Sequence, residues 1–448
     1  MKRLFGMMMA TMLLLCSCSN TDYVNSIPKN SSAIISIDMG EVSGVKSQAI
    51  LRALLHATNL SDCGLDLSSN IYIFETVDGN LGLCVRVSDA DDLEKTLNGL
   101  AKKGVCGDVK ERRGFLFSMM NNSWVMGFSD HALLVVGPVA VSARSEVEGR
   151  LVSFLSQDEE HSIKNSPMFE KLDSISAPIS MVAQAKALPE QFIAPFTLGA
   201  PKDADPSQVL IAAEMNVQDG CLEINGNTFS FNRRINDALL KSMKVFRPIK
   251  GRYAQSMSAD AAMAMFMNVD GKQYIELLHQ NSGFQALLAG INTAIDMDNI
   301  LKSVDDDLAI VAPLMSDGHV KMSMAAELSH SKWLADVDYW KKSCPEGGRI
   351  ADWGVNAFSY TNGTTSFFFG VTNDGQFYSG SNTEEAKGSI SPASNPISEN
   401  LQDKDKDGKM VMIVNLKAFD GGNKVLPTLQ SLLRPVFGDI NSIMYNMK

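Results

Sequence analysis

The sequence predicts an α+β protein of two similar halves, each a mostly antiparallel sheet with helices packed on one face, behind an N-terminal lipoprotein signal peptide. Three observations predict it. A short basic start runs into an apolar stretch that ends in Leu15-Cys16-Ser17-Cys18. Beyond it, period-two alternation and helical periodicity follow one another as strand, helix, strand, strand, helix, then a run of strands. That order occurs about once in residues 26–248 and again in 249–448.

Lys2 and Arg3 make the basic start, and Leu4 to Cys16 is apolar except for Gly6 and Thr11. This is the pattern of a secretory signal, and it is shorter than the roughly 20 apolar residues of a membrane-spanning helix. An ordinary cleaved signal is the alternative, and a metal pair is disfavoured because no other ligand lies near the two thiols. Leu15-Cys16-Ser17-Cys18 resembles the lipobox of bacterial lipoproteins. Cys18 fits the lipidated position, because small Ser17 precedes it, whereas bulky Leu15 precedes Cys16. Residues 1–17 are then the signal peptide and 18–25 a lipidated tether, anchored to the membrane and not spanning it. Asp22 is the one acid close behind Cys18. Surface-exported lipoproteins of some Gram-negative groups carry an acid cluster there, so a periplasm-facing position is expected.

A chain of 448 residues with 45% apolar composition has enough material for two or three domains and a sizeable core. Its formal charge is −11, and loss of Lys2 and Arg3 makes it more negative. That argues against nucleic acid as a partner, since phosphates need a basic face, and against broad contact with anionic lipid. Cys63, Cys84, Cys106, Cys221 and Cys344 remain after the lipobox. Their odd number is too sparse for a disulfide framework. Cys84 reads as a small core residue, and Cys63 with Cys106 is the one pair that loop position suggests.

The first half opens with "SSAIISIDMGEVSGVKSQAILRALL" and the second with "DAAMAMFMNVDGKQYIELLHQNSGFQALL", each a strand followed by an amphipathic helix. A hairpin with Asp-Gly in its turn and a capped helix come next: "NIYIFETVDGNLGLCVRVSDADDLEKTLNGL" and "DLAIVAPLMSDGHVKMSMAAELSHSKWLADVDYW". Short strands follow, in "GFLFSMMNNSWVMGFSDHALLVVG" and "NAFSYTNGTTSFFFGVTNDGQFYSG", with turns at Asn-Asn, Asn-Gly and Asp-Gly. "ISMVAQAKALPEQFI" matches "MVMIVNLKAFDGGNKVLP" in order. Identity between the halves is low, so element order and spacing carry the duplication. Around the junction, Arg233, Arg234, Lys241, Lys244, Arg247, Lys250 and Arg252 form a basic run. It reads first as a solvated helix face and linker, and otherwise as a contact with an acidic partner or between the halves.

The lipobox, the tyrosine and proline of "DYVNSIPKNSSAIISIDM", and "DMDNILKSVDDDLAIV" resemble a domain-of-unknown-function family of envelope lipoproteins found mainly in Bacteroidetes. Ile27, Pro28, Ser31, Ser32 and Asp38 carry that family's entry into its first strand. The resemblance spans nearly all of the mature chain. It implies an envelope lipoprotein and assigns no catalytic residue.

The sharpest local motif is "DKDKDG". Asp403, Asp405 and Asp407 alternate before Gly408 as at the start of an EF-hand loop, a candidate calcium site. The twelfth position is Val414 where a bidentate Glu is expected, and a strand-like run follows, so a polar turn is the stronger reading. Methionine alternates at Met263, Met265 and Met267, at Met322 and Met324, and at Met410 and Met412. One-faced thioethers suit Cu(I), but among Ala, Phe and Val they read as core. The histidines are scattered, and Ser129, Asp130 and His131 are too close in sequence to form a triad. Asp38 and Glu75 are candidates for a glycosidase-like carboxylate pair. Asp305, Asp306 and Asp307 read as strand caps or solvent-facing acids. Asp173-Ser174-Ile175 matches a short O-glycan acceptor pattern that chance also produces.

These readings together lead to a membrane-anchored envelope protein that binds or scaffolds, with an envelope protein as a candidate partner and no cofactor other than the candidate calcium. A hydrolase with residues gathered only in three dimensions, and a calcium-stabilised structural module, are the alternatives. Cys18→Ala should move the protein from the membrane to the soluble fraction on ultracentrifugation. Retention on membranes in high salt would argue against lipidation at Cys18.

Overall fold

The computed structural model describes residues 21–41, 62–281, 294–312, 315–316, 319–320, 322–363, 365–397, 408–419 and 437–448. The signal peptide, Cys18, the calcium candidates Asp403, Asp405 and Asp407, and the first helix expected after residue 41 lie outside them. Two compact units divide between Ala183 and Gln184.

In the first unit, alternating apolar runs become β1 (Ala33–Ile37), β2 (Ile71–Glu75), β3 (Leu81–Arg86), β4 (Lys110–Arg112), β5 (Phe115–Met120), β6 (Trp124–Phe128), β7 (Ala132–Gly137) and β8 (Ile179–Gln184). All pair antiparallel, in the order β8-β1-β2-β3-β7-β6-β5-β4. The β2–β3 hairpin turns at Asp78-Gly79, where Gly79 takes the positive φ of 79° that the turn requires. β7, "ALLVVG", is buried at every residue, which accounts for its unbroken apolar run. Helix α1 (Ala90–Lys102) opens at Asp89, whose carboxylate accepts the Asp92 N–H, and it buries Leu93, Leu97 and Leu100. α2 (Arg144–Leu155) buries Val147 and Leu151. α3 (Pro167–Asp173) starts with Pro167 in its first turn and Ser166 accepting the Phe169 N–H.

The second unit holds α4 (Glu190–Phe196), β9 (Leu210–Gln218), β10 (Cys221–Phe229), α5 (Arg233–Ser242), β11 (Phe246–Arg247), β12 (Met263–Asp270), α6 (Gly271–Gln280) and α7 (Met297–Lys302). It continues with β13 (Val304–Ala312), a small hairpin of β14 (Met315–Ser316) and β15 (His319–Val320), β16 (Ser323–Leu328) and α8 (Val337–Ser343). β17 (Gly348–Gly354), β18 (Ala357–Asn362), β19 (Thr365–Val371), β20 (Gln376–Gly380), α9 (Thr383–Gly388), β21 (Met410–Asn415) and β22 (Ser442–Met447) complete it. The strands run β9-β10-β22-β21-β12-β13-β16-β20-β19-β18-β17, with β11 beside the end of β12. Among the described pairings only β10–β22 is parallel.

Several expectations are corrected. Helices cover both faces of the second unit's sheet. Phe377 packs on Trp333, just ahead of α8, while its neighbour Tyr378 points the other way to Trp353, over which α9 places Lys387. The physical reason is that β12 and β21 are buried along nearly their whole length, so neither face tolerates water. The β9–β10 hairpin belongs to the second unit, where it joins β22, with the Tyr445 hydroxyl donating to the Gly226 carbonyl at 3.1 Å. Residues 22–25, expected in a tether, lie in a 3-10 turn, and Tyr23 is only 3% exposed. None of the five cysteines forms a disulfide, so Cys63 and Cys106 are not bonded to each other. The paired methionines Met265–Met412 and Met267–Met410 are core.

The basic run is drawn into ion pairs inside the second unit. Arg234 grips Asp203 with two bonds of 3.0 and 2.8 Å, Arg247 meets Asp305 at 2.9 Å, Lys250 meets Asp306, and Arg252 meets Glu327 and Asp374. Asp305, Asp306 and Asp307 cap nothing; they are part of β13. Asp307 is 2% exposed and accepts the backbone N–H groups of Lys250 (3.0 Å) and Arg252 (2.9 Å) and the Asn268 amide (3.0 Å). Asp307→Ala leaves these donors unmet and should cost about 3 kcal/mol. The exposed Asp305→Ala should cost less than about 1 kcal/mol. Denaturant unfolding of both variants checks the contrast.

Candidate functional site

Ser36 of β1 is paired with Ser180 of β8 on one side and Tyr72 of β2 on the other. Directly paired residues share a face, so three hydroxyl side chains stand in a row across three strands. Helix α3 lies over that face, with the Phe169 ring 6.0 Å from that of Tyr72. Between them is a cavity of about 170 Å³. The sheet contributes Ser36, Asn70, Tyr72 and Ser180 to its wall, and the chain leaving β1 contributes Asp38 and Glu41. Phe169, Leu172 and Asp173 close the other side with the turn through Ser176.

Each polar group is placed by local chemistry. Asp38 Oδ1 accepts the N–H of Gly40 (2.8 Å) and of Glu41 (3.1 Å), which tightens the turn after β1. Asn70 donates its amide to Ser36 Oγ at 3.2 Å, and its carbonyl accepts the Tyr23 hydroxyl at 2.7 Å. Burial raises the Tyr72 phenol above its ordinary value, against hydrogen bonds with Ser36 and Asn70 that lower it. Ser180 is 4% exposed and lines the cavity. Among the described residues the wall carries three carboxylates and no Lys, Arg or His.

The loop leading to Asn70 is held by Asp66. Its carboxylate accepts the Ser68 N–H (2.9 Å) and hydroxyl (2.7 Å), the Ser69 hydroxyl (2.9 Å) and Arg86 Nη1 (2.6 Å). Partial burial opposes its ionisation, but the serine bonds and the Arg86 charge prevail and hold its pKa at about 2.

In the second unit, β21, β12 and β13 are also paired side by side, and Val411, Phe266 and Ala309 form a row across them. All three are at most 2% exposed and belong to one apolar cluster with Ala264, Val311 and Ile413.

Other sequence candidates do not converge. Asp38 follows Ile37, which pairs with Ile71, whereas Glu75 pairs with Ala33. The two acids therefore stand at opposite ends of β1 and β2, roughly 15 Å apart along the strands. That is beyond the ~5–9.5 Å of paired glycosidase carboxylates. Ser129 Oγ accepts the N–H of His131 and of Ala132, forming a turn and no triad. Ser174 caps the end of α3, donating to the Lys171 carbonyl at 2.6 Å. The calcium motif and Cys18 lie outside the described residues, although the strand expected after Gly408 is present as β21. Among the described residues no group of three or more His, Cys, Asp or Glu is placed to hold a metal ion, and no helix is long and apolar enough to cross a membrane. Sequence reasoning missed Ser36, Asn70, Tyr72 and Ser180. The available signal was a serine in "AIISID" and in "ISMVAQ" where the corresponding strands "MAMFMN" and "MVMIVN" are apolar.

A family model for a domain of unknown function, DUF4836, matches residues 46–440. The chain belongs to the DUF4836 family. No curated protein matches the DUF4836 chain in sequence. Among solved structures it is similar to crystal form IV of TP0453, at 9% identity and a TM-score of 0.28, over 44% of this chain and 76% of that one. Crystal form III of TP0453 gives 7% identity and a TM-score of 0.24, over 82% and 96%.

Asp66 makes the wall acid-sensitive. Its folded pKa lies below that of the unfolded chain, so its stabilisation is complete above about pH 4 and is lost as the pH falls toward 2. Asp66→Asn should destabilise by on the order of 2 kcal/mol at pH 6 and by almost nothing at pH 2. Urea unfolding of both proteins at the two pH values measures the difference.

Proposed function

We propose that this DUF4836 protein is a non-enzymatic binding protein of the cell envelope, held to the membrane by a lipid on Cys18 and facing the periplasm. Its body is two copies of one α+β module, and the first copy carries the ligand site. The lipobox supports the anchor. The duplication is supported by matching strand orders, β8-β1-β2-β3-β7-β6-β5-β4 beside β21-β12-β13-β16-β20-β19-β18-β17. Each copy is entered past a buried tyrosine, Tyr23 or Tyr253, followed by one isolated bridge, Pro28↔Ser162 or Ser258↔Pro396.

One observation carries the binding reading. Where the second copy packs Val411, Phe266 and Ala309, the first has Ser180, Ser36 and Tyr72 around open space. The fold does not need hydroxyls there, and a hydroxyl row around open space forgoes the apolar burial that the second copy gains. Forgone burial of this kind is expected where a wall is kept open for a ligand. A glycosidase-type pairing of Asp38 with Glu75 is disfavoured by the distance between them along their strands. Arg234, Arg247, Lys250 and Arg252 of the basic run are engaged in internal ion pairs, which makes them poor contacts for a protein partner.

The test needs no knowledge of the ligand. Ser180→Val installs the second copy's residue and should raise stability by about 1 kcal/mol in denaturant unfolding. A loss of that size would mean that Ser180 serves the fold, and the site reading would be abandoned.

A further inference from the structure

The entry segment of the first unit is folded almost up to the expected anchor. Tyr23 is 3% exposed, and Val24 and Ile27 are fully buried. The Tyr23 hydroxyl donates to the Asn70 carbonyl at 2.7 Å, and Gln157 Nε2 donates to the Ile27 carbonyl at 2.9 Å. The Ile163 N–H meets that same carbonyl at 2.9 Å, and Pro28 bridges Ser162. The segment cannot peel away to lengthen a tether without exposing these three side chains and breaking these bonds. Three residue steps separate Cys18 from Thr21, the first of the described residues, and three extended residues reach about 11 Å. An acylated cysteine sits at the edge of the hydrocarbon core, and the headgroup layer above it is roughly 5–8 Å thick. Thr21 can therefore rise only a few ångströms beyond the headgroups.

We infer that the face built around Lys29 and the 157–162 loop lies against the headgroup layer of a zwitterionic bilayer, held there by the shortness of the leash and not by an affinity of its own. The inference rests on the reading of Cys18 as the lipid anchor, and goes beyond it by naming the surface that meets the membrane. The loop is tied to the entry segment, since Lys29 Nζ donates to the Glu160 carbonyl at 3.1 Å. Asp158, Glu159, Glu160 and His161 stand exposed beside it. None of the large exposed apolar side chains among the described residues belongs to residues 21–30 or 157–165, so this face rests on headgroups without inserting. Its charges are matched locally, Lys164 to Glu159 at 2.7 Å and His161 Nδ1 to Asp158 at 2.6 Å. Acids outnumber lysines there, so an anionic surface would repel it, whereas a zwitterionic layer presents no net charge.

The test uses the lipidated full chain in phosphatidylcholine vesicles that carry a nitroxide on the lipid headgroup. Cys106→Ser and Cys344→Ser remove the two half-buried thiols, and a fluorophore is attached through Asn30→Cys or, separately, Asp158→Cys. Both reporters should be quenched on the vesicles. A twenty-residue Gly/Ser insertion between Asn20 and Thr21, with a root-mean-square span of about 25 Å, should cut the quenching by about threefold or more. Cys18→Ala should remove it altogether. Reporters that stay bright on a protein that floats with the vesicles would overturn the inference and leave the anchor standing. Quenching unchanged by the insertion would overturn it too, because the face would then adhere without the leash. A wild-type chain that fails to float with the vesicles would overturn the anchor reading, and the inference with it.

Discussion

Ser36 sits in the middle strand of three, and the register of β1 with β8 and β2 decides what each side chain on that face can do. A slip of one residue would turn Ser36 out and bring Ile35 or Ile37 in. The register is held by the apolar residues around it: Ile34 and Ile37 are buried on β1, and Ile71 and Ile73 on β2. The position of the hydroxyl row, the placement of α3 over it and the direction in which Asp38 leaves the sheet all depend on this one alignment. The same constraint acts through β12, where Met267 is flanked by Leu308 and Met410.

The two rows solve the same packing problem in opposite ways. Phe266 fills its space and gains from the apolar area it removes from water. Ser36 and Ser180 forgo that gain and leave room. Tyr72 bridges the two regimes, its ring against Phe169 and its hydroxyl bonded to Ser36 and Asn70. The apparatus behind the wall is rigid: Asp66 fixes the loop before Asn70 with four bonds, and Asn70 in turn receives Tyr23. A wall fixed from behind can present polar groups without reorganising them.

Much of the architecture was legible because it is written locally. Alternation and turn residues such as Asp78-Gly79 mark β2 and β3 wherever they fold, and a capping residue such as Asp89 marks the start of α1. What could not be read depends on residues far apart in sequence. The unit boundary turns on β10 meeting β22, a pairing without a local signature. Asp307 belongs to a triplet of acids that looks solvated until Lys250 and Arg252 present their backbone to it. The cavity is the extreme case, since Ser36, Tyr72 and Ser180 are single residues in apolar strands, and only their cross-strand register gathers them.

The parallel pairing of β10 with β22 also sets an order in time. A ribosome delivers the chain from one end, and every strand of the first unit is complete by Gln184. That sheet can close while the rest is still being made. The second cannot: the Tyr445 hydroxyl reaches back 219 residues to Gly226, and β21 waits between β12 and β22. Until the last few residues emerge, the flank of β10 that will receive β22 is an unpaired strand edge, exposed to whatever the nascent chain meets.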